Sequence, residues 1–177
     1  MKTLERQEKQ EKQEKQERLE RINLDMLLTE HFRLREFTRS ATALDMGIDN
    51  TPPLEAVALL RALCENVLEP LRRRFGVIRI TSGYRCEILN RVVGGVPHSL
   101  HLYGEAADIQ LGSREEGLRM IKFLQEQGIP FDQALLEHNR QTGSRWLHVS
   151  YRPLHSRRQV STNVSSNVAT KNLQKVI

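Results

Sequence analysis

His101 and Asp108 lie seven residues apart, with small residues between them, and His148 follows further along the chain. These residue types can hold a catalytic Zn²⁺ ion, which takes three protein ligands from His, Cys, Asp and Glu and keeps a fourth position open for water. His98, His138 and His155 lie in the same part of the sequence and are further candidates. If Asp108 and His148 sit on neighbouring strands, about 4.8 Å apart, their side chains can meet one ion, and a loop can bring His101 to it. Alternation places Asp108 with Ala106 and Gln110, and turns Ile109 and Leu111 toward a core. Spacing by itself does not establish a metal site. A single histidine on a half-buried strand is more often hydrogen-bonded than ligating, and an aspartate before an apolar residue also suits an exposed strand or a turn.

The elements that must position these residues are legible in outline. Thr51 followed by Pro52 reads as an N-cap with proline at the first helical position, and Glu55 complements the first turn. Leu54, Val57, Cys64, Val67, Leu68 and Leu71 then recur at helical steps, which predicts a long amphipathic helix with a kink at Pro70. Residues 77 to 81 read as a short strand ending at Ser82-Gly83, and residues 87 to 93 as a brief helix closed by Gly94-Gly95. Residues 106 to 111 read as a second strand. Ser113 and Glu116 form a capping box for a helix running to Gln127 and stopping at Gly128. Residues 132 to 137 and 146 to 151 are two more strands joined by a polar loop. Helices followed by mixed strands and helices predict an α+β fold with a small antiparallel sheet.

Three regions are expected. Residues 1 to 25 form a charged low-complexity tail, helical or disordered, containing a QEK triplet repeat at 7 to 18 whose glutamate-before-base pairs at i,i+4 support a solvated, partly frayed helix. Residues 26 to 153 form the domain. Residues 154 to 177, rich in Ser, Asn, Gln and Lys, are expected to be disordered.

With 177 residues and 28% charged side chains, the chain is long enough for one domain with a core. The net charge of +5 favours anionic partners. Its basic runs lack interleaved aromatics, so nucleic acid ranks behind other anionic polymers. Cys64 and Cys86 make neither a CxxC pair nor a disulfide framework and read as reduced thiols. No apolar run approaches the roughly 20 residues of a spanning helix, and no apolar leader is visible, so synthesis as a soluble cytoplasmic protein is expected.

The pattern Ser99-x-His101-x-x-Gly104-x-Ala106-x-Asp108 is preceded by Ser82-Gly83-Tyr84-Arg85 and Gly94-Gly95, and followed by Trp146-x-His148. Together these motifs resemble the M15 family of zinc peptidases, the D-Ala-D-Ala carboxypeptidases and peptidoglycan endopeptidases. The likeness spans roughly residues 28 to 152, with EFTRSATA and GIDNTPP resembling the family's N-terminal helical part.

The resemblance implies a hedgehog-like zinc peptidase fold and one Zn²⁺ held by His101, Asp108 and His148. It implies that Arg85 stabilises the substrate carbonyl or carboxylate and that Ser99 supports the substrate or the ligand loop. Gly104 and Ala106 match close-approach positions. Trp146 is a candidate to wall the substrate cleft, with a core position beside the metal strand as the alternative, and Tyr84 and Tyr103 are candidates to donate hydrogen bonds to a substrate there. Many members place an acid or histidine three residues before the last ligand as general base. Here that position is Arg145, which stays protonated and cannot serve. Glu137, in the run from Asp132-Gln133, is the best replacement; the alternative is a strand-end carboxylate paired with Arg140 or Arg145.

The leading expectation is a monomeric zinc peptidase cutting peptidoglycan stem peptides or cross-links, reaching the wall after phage-mediated release. The alternative is a zinc-containing wall-binding module that has lost turnover. A nucleic-acid binder resting on the basic residues ranks last.

Overall fold

A computed structural model describes residues 22 to 166. The QEK repeat and residues 167 to 177 lie outside them. The described part is α+β, with helices covering one face of a five-stranded sheet whose neighbouring strands run in the order Ile80–Ser82, Ala106–Leu111, Arg145–Ser150, Gln133–Asn139 and Gln159–Ser166.

The N-terminal segment carries two short helices, α1 (Leu34–Thr38) and α2 (Ala41–Asp45). Ser40 caps α2 by accepting from the Ala43 N–H. The segment is tied down at Glu69, a buried carboxylate that accepts from both the backbone N–H and Nδ1 of His31, at 3.0 and 2.8 Å.

The long helix forms as α3 (Leu54–Leu63), a π turn (Cys64–Leu68) and α4 (Glu69–Phe75). Its start corrects the expected cap. Thr51 closes an Asx turn on Asp49 instead, and the helix begins after Pro53, which brings no side-chain cap bond. The irregularity expected at Pro70 lies in the turn before it. Proline has no N–H to donate back, and the wider turn, in which the Glu69 N–H reaches Cys64 O, absorbs that loss. Leu60, Leu63, Val67, Leu68 and Leu71 are all fully buried along one side.

The sheet consists of β1 (Ile80–Ser82), β2 (Ala106–Leu111), β3 (Gln133–Asn139), β4 (Arg145–Ser150) and β5 (Gln159–Ser166). Between β1 and β2 the chain forms α5 (Glu87–Val92) and a 3₁₀ turn (Leu100–Tyr103); between β2 and β3 it forms α6 (Arg114–Glu126). Ser113 caps α6 as expected, while the Glu116 carboxylate reaches back to the Gly112 N–H.

Register assigns the two faces. Asp108 pairs with His148, which pairs with Leu135; Ile109 pairs with Leu147, which pairs with Leu136. Ala107, Ile109, Leu147, Val149, Ala134 and Leu136 turn to the helix layer and are buried. There α6 approaches so closely that a Cβ on Gly117 would lie 2.6 Å from Leu136 Cδ1. The opposite face presents Asp108, Gln110, Trp146, His148, Leu135 and Glu137.

Two expectations are corrected at the C-terminal end. The sheet is not wholly antiparallel, because β5 runs parallel to β3, and the segment expected to be disordered from residue 154 contains that strand. Its composition is polar, but pairing with an otherwise open edge satisfies its backbone, which a reading of local periodicity does not see. Arg157 anchors the approach with a two-pronged bond to the buried Asp132, 2.7 Å on each arm. Arg158, held at φ 53°, stacks over the Phe131 ring at 5.4 Å.

Candidate metal centre

Each of the three expected ligands arrives on a different piece of backbone. Asp108 and His148 stand directly opposite on β2 and β4, and His101 enters from the 3₁₀ turn. That turn ends at Gly104, which has φ 76° and packs so tightly that a Cβ there would lie 2.5 Å from the Ala56 carbonyl oxygen, leaving room for no side chain. A second close approach occurs at Gly83, where a Cβ would overlap the Phe37 backbone at 2.7 Å. Packed in this way, Gly83 presents its carbonyl to His101 Nδ1 at 2.6 Å. The carbonyl can only accept, so Nδ1 carries the proton and Nε2 turns its lone pair into the cluster.

The donor atoms then converge. His101 Nε2 lies 3.3 Å from His148 Nδ1 and 3.3 Å from Asp108 Oδ1, and His148 Nδ1 lies 2.9 Å from the same oxygen. The residues are 3, 6 and 9% exposed for His101, Asp108 and His148. Bond lengths of about 2.0–2.1 Å in a tetrahedral zinc site separate neighbouring ligand atoms by about 3.3 Å, so the cluster has the dimensions to hold such an ion. Among the described residues, a second group of potential ligands, Glu30, His31 and Glu69, also comes together. There His31 already spans both oxygens of Glu69 and Arg73 stands 3.7 Å from Glu30, which makes it a tether for the N-terminal segment.

The charges suit a cation. Burial keeps the His101 imidazole below its ordinary value and therefore neutral, the form that ligates. Burial would raise the Asp108 carboxyl, but the His101 and His148 rings outweigh it and hold Asp108 well below the usual carboxylate range.

Arg85 donates from one terminal nitrogen to Asp108 Oδ2 at 2.9 Å and from Nε to Ser82 Oγ at 2.8 Å. It therefore fixes the oxygen of Asp108 that does not face the two histidines. The Arg85 turn is itself held by a residue that sequence patterns did not single out. Asn50, buried, donates to Thr38 O and Tyr84 O and accepts from the Cys86 N–H. The only signal for it was a polar residue inside the GIDNTPP segment.

Glu137 lies on the same face, one residue pair along from His148, because it stands opposite Trp146. Such diagonal neighbours lie roughly 7–8 Å apart, within reach of long side chains. Burial raises the Glu137 carboxyl above its ordinary value, and the Asp108 charge adds to this, while His148 and Arg85 oppose it. Arg145 pairs with Leu111 and His138, so it belongs to the other face; its side chain donates to Gly143 O at 3.2 Å. Three residues along a strand is an odd step, and position 145 therefore cannot face His148.

The remaining expected residues divide. Trp146 is half-buried on the site face between Gln110 and Glu137. Ser99 is buried immediately before the His101 turn, where its carbonyl accepts from the Leu102 N–H. Tyr84 is not brought to the cluster: its ring is part of the hydrophobic core, and burial pushes its hydroxyl above the ordinary value, with the Asp49 and Glu87 carboxylates adding to the shift. His98 and His155 are exposed and stand outside the cluster.

The class defined by this geometry is an α+β protein with a buried His-Asp-His cluster that could bind a divalent metal ion. Comparison with family models then assigns the relationship. The model of the peptidase M15 family matches residues 30–150, and the chain belongs to that family. No curated protein matches the chain. No helix among the described residues is long and apolar enough to cross a membrane.

Proposed function

We propose that this chain is a zinc-dependent peptidase that hydrolyses peptide bonds in peptidoglycan stem peptides or cross-links, on a hedgehog-like zinc peptidase fold. The observation that carries the proposal is the spacing of His101 Nε2, Asp108 Oδ1 and His148 Nδ1, at 2.9 to 3.3 Å from one another. His101, Asp108 and His148 would hold a zinc ion, which would supply Lewis acidity toward a carbonyl and toward water.

The chain's own residues do the rest. Glu137 accepts the water proton and returns it to the leaving amine; its raised affinity for a proton suits that exchange better than an ordinary surface glutamate would. Arg85 positions Asp108 first, and its remaining terminal nitrogen is available to a substrate oxygen as charge develops. Trp146 lines the cleft beside Glu137, and Ser99 supports the His101 turn. Tyr84 has no substrate role in this reading. The alternative of an inactive module drew on Arg145 standing where many members carry the base; against it, Glu137 on the site face offers a carboxylate in its place.

Action at the cell wall follows from the substrate. Mass spectrometry of muropeptides after digestion, with and without a zinc chelator, tests the reading. New fragments from amide hydrolysis are expected, lost on chelation and restored by zinc. Unchanged muropeptides with zinc-loaded protein, or cleavage that persists in chelator, would refute it.

A further inference from the structure

The molecule carries a second concave feature, on its helix side. A groove of about 510 Å³ opens between the C-terminal ends of α4 and α6. Phe75 and Phe123 form its apolar floor, edge to face with centroids 5.6 Å apart, and Arg74 lies 5.7 Å from the Phe75 ring centre. Arg74, Arg119 and Lys122 line it against a single carboxylate, Glu126, which pairs with Lys122 at 3.6 Å.

The bland account of such cations is that they complement helix C-termini. It serves for Arg74, in the last turn of α4, but not for Arg119 or Lys122, which stand in the interior of α6. Three cations around an aromatic floor match a ligand that has both negative charge and apolar faces. A long phosphate backbone suits the groove less well, because Glu126 interrupts the positive rim. The volume falls within the roughly 300–1,000 Å³ typical of ligand sites. Sugar rings offer apolar faces to aromatic side chains, and peptidoglycan bears carboxylates on its stem peptides.

We propose that this groove is a second binding site, for a carboxylate-bearing glycopeptide strand of the cell wall, separate from the metal cluster. This rests on the cell wall being the partner, as proposed above. The groove would hold the enzyme to its polymer while the open face of the sheet works on another strand.

The test uses the full chain stripped of metal, so that binding is read without turnover. Cosedimentation with purified peptidoglycan sacculi is measured for wild type and for the Arg74→Ala/Arg119→Ala/Lys122→Ala variant. Loss of three exposed charge contacts is expected to weaken binding about tenfold, while zinc-loaded wild type and variant cut a soluble muropeptide equally. If the triple variant fails to fold, Arg119→Glu alone, at an exposed position, is expected to weaken sacculus binding in the same direction. Sacculus binding unaffected by these changes would overturn the proposal, as would tighter binding to duplex DNA than to sacculi, lost in the same variants. If sacculus binding falls in the variants but no muropeptide is cut, the groove stands and the peptidase reading fails.

Discussion

The two faces of the sheet are built from alternating residues of the same strands, yet they meet different demands. On the helix-covered face, Ile109, Leu147 and Val149 are sealed in the hydrophobic core beneath α6 and contribute through apolar burial alone. On the other, the intervening residues Asp108, His148 and Glu137 bring ionisable groups together, and the cluster at Asp108 and His148 is closed over by the His101 and Arg85 turns. Both oxygens of the Asp108 side chain have a hydrogen-bond partner: Oδ1 meets His148 Nδ1 and Oδ2 takes Arg85. A carboxylate that is almost fully buried is tolerable only when satisfied in this way. A one-residue step along a strand thus changes a side chain's task from stability to chemistry.

Changes on the two faces are therefore expected to separate metal binding and turnover from folding. Asp108→Ala has the largest effect, since it removes a ligand and leaves Arg85 without its partner. Zinc affinity, read by competition with a chromophoric chelator, is expected to fall by more than the roughly 10–100-fold typical of residues that merely support a ligand. Retention of wild-type affinity would break the distinction between the faces. Glu137→Gln is expected to lower kcat by about 10²–10⁴ with zinc affinity intact, whereas Arg145→Ala, on the opposite face, leaves kcat close to wild type. A reversal of these two results in muropeptide turnover would remove Glu137 from the role of base.

Ile109→Ala tests the other face. It is expected to cost about 2–5 kcal/mol in denaturant unfolding, while the folded fraction binds zinc normally. Loss of zinc affinity in that fraction would mean that the two faces are coupled.

The smallest effect is expected at the edge. Arg157→Ala leaves the buried Asp132 carboxylate short of hydrogen bonds, for about 1–3 kcal/mol. The Arg157 bonds hold Asp132 below its ordinary pKa, so their contribution is fully present above the unfolded value of about 3.9 and is lost as pH falls through the lower folded value. The stability gap between wild type and variant should accordingly narrow below about pH 4; a gap independent of pH would remove Asp132 from the explanation.

The difference between the faces also accounts for what could be read from sequence. Ala106–Leu111 was legible to the residue because alternation, a short apolar run and the neighbouring motif agree. Spacing alone left His101, Asp108 and His148 open, and only the resemblance of their motifs to the M15 family named them as a set, because the contacts that group them span distant parts of the chain. Glu137 was preferred to position 145 because arginine cannot accept a proton, and the register adds a second reason, since an odd step along a strand from His148 turns a side chain to the opposite face. Gln159–Ser166 was missed for a different reason: a polar edge strand owes its existence to β3, distant in sequence, and not to its own pattern. Tyr84 illustrates the same limit, since its place between Gly83 and Arg85 suggested the cleft while packing sends its ring into the core.

The central claim is that His101, Asp108 and His148 together hold one zinc ion. A crystal structure of the zinc-loaded protein, with diffraction data collected on both sides of the zinc absorption edge, tests it most directly. A single strong anomalous peak is expected within bonding distance of His101 Nε2, Asp108 Oδ1 and His148 Nδ1. A peak instead at His31 and Glu69, or none at the cluster in zinc-saturated protein, would contradict it.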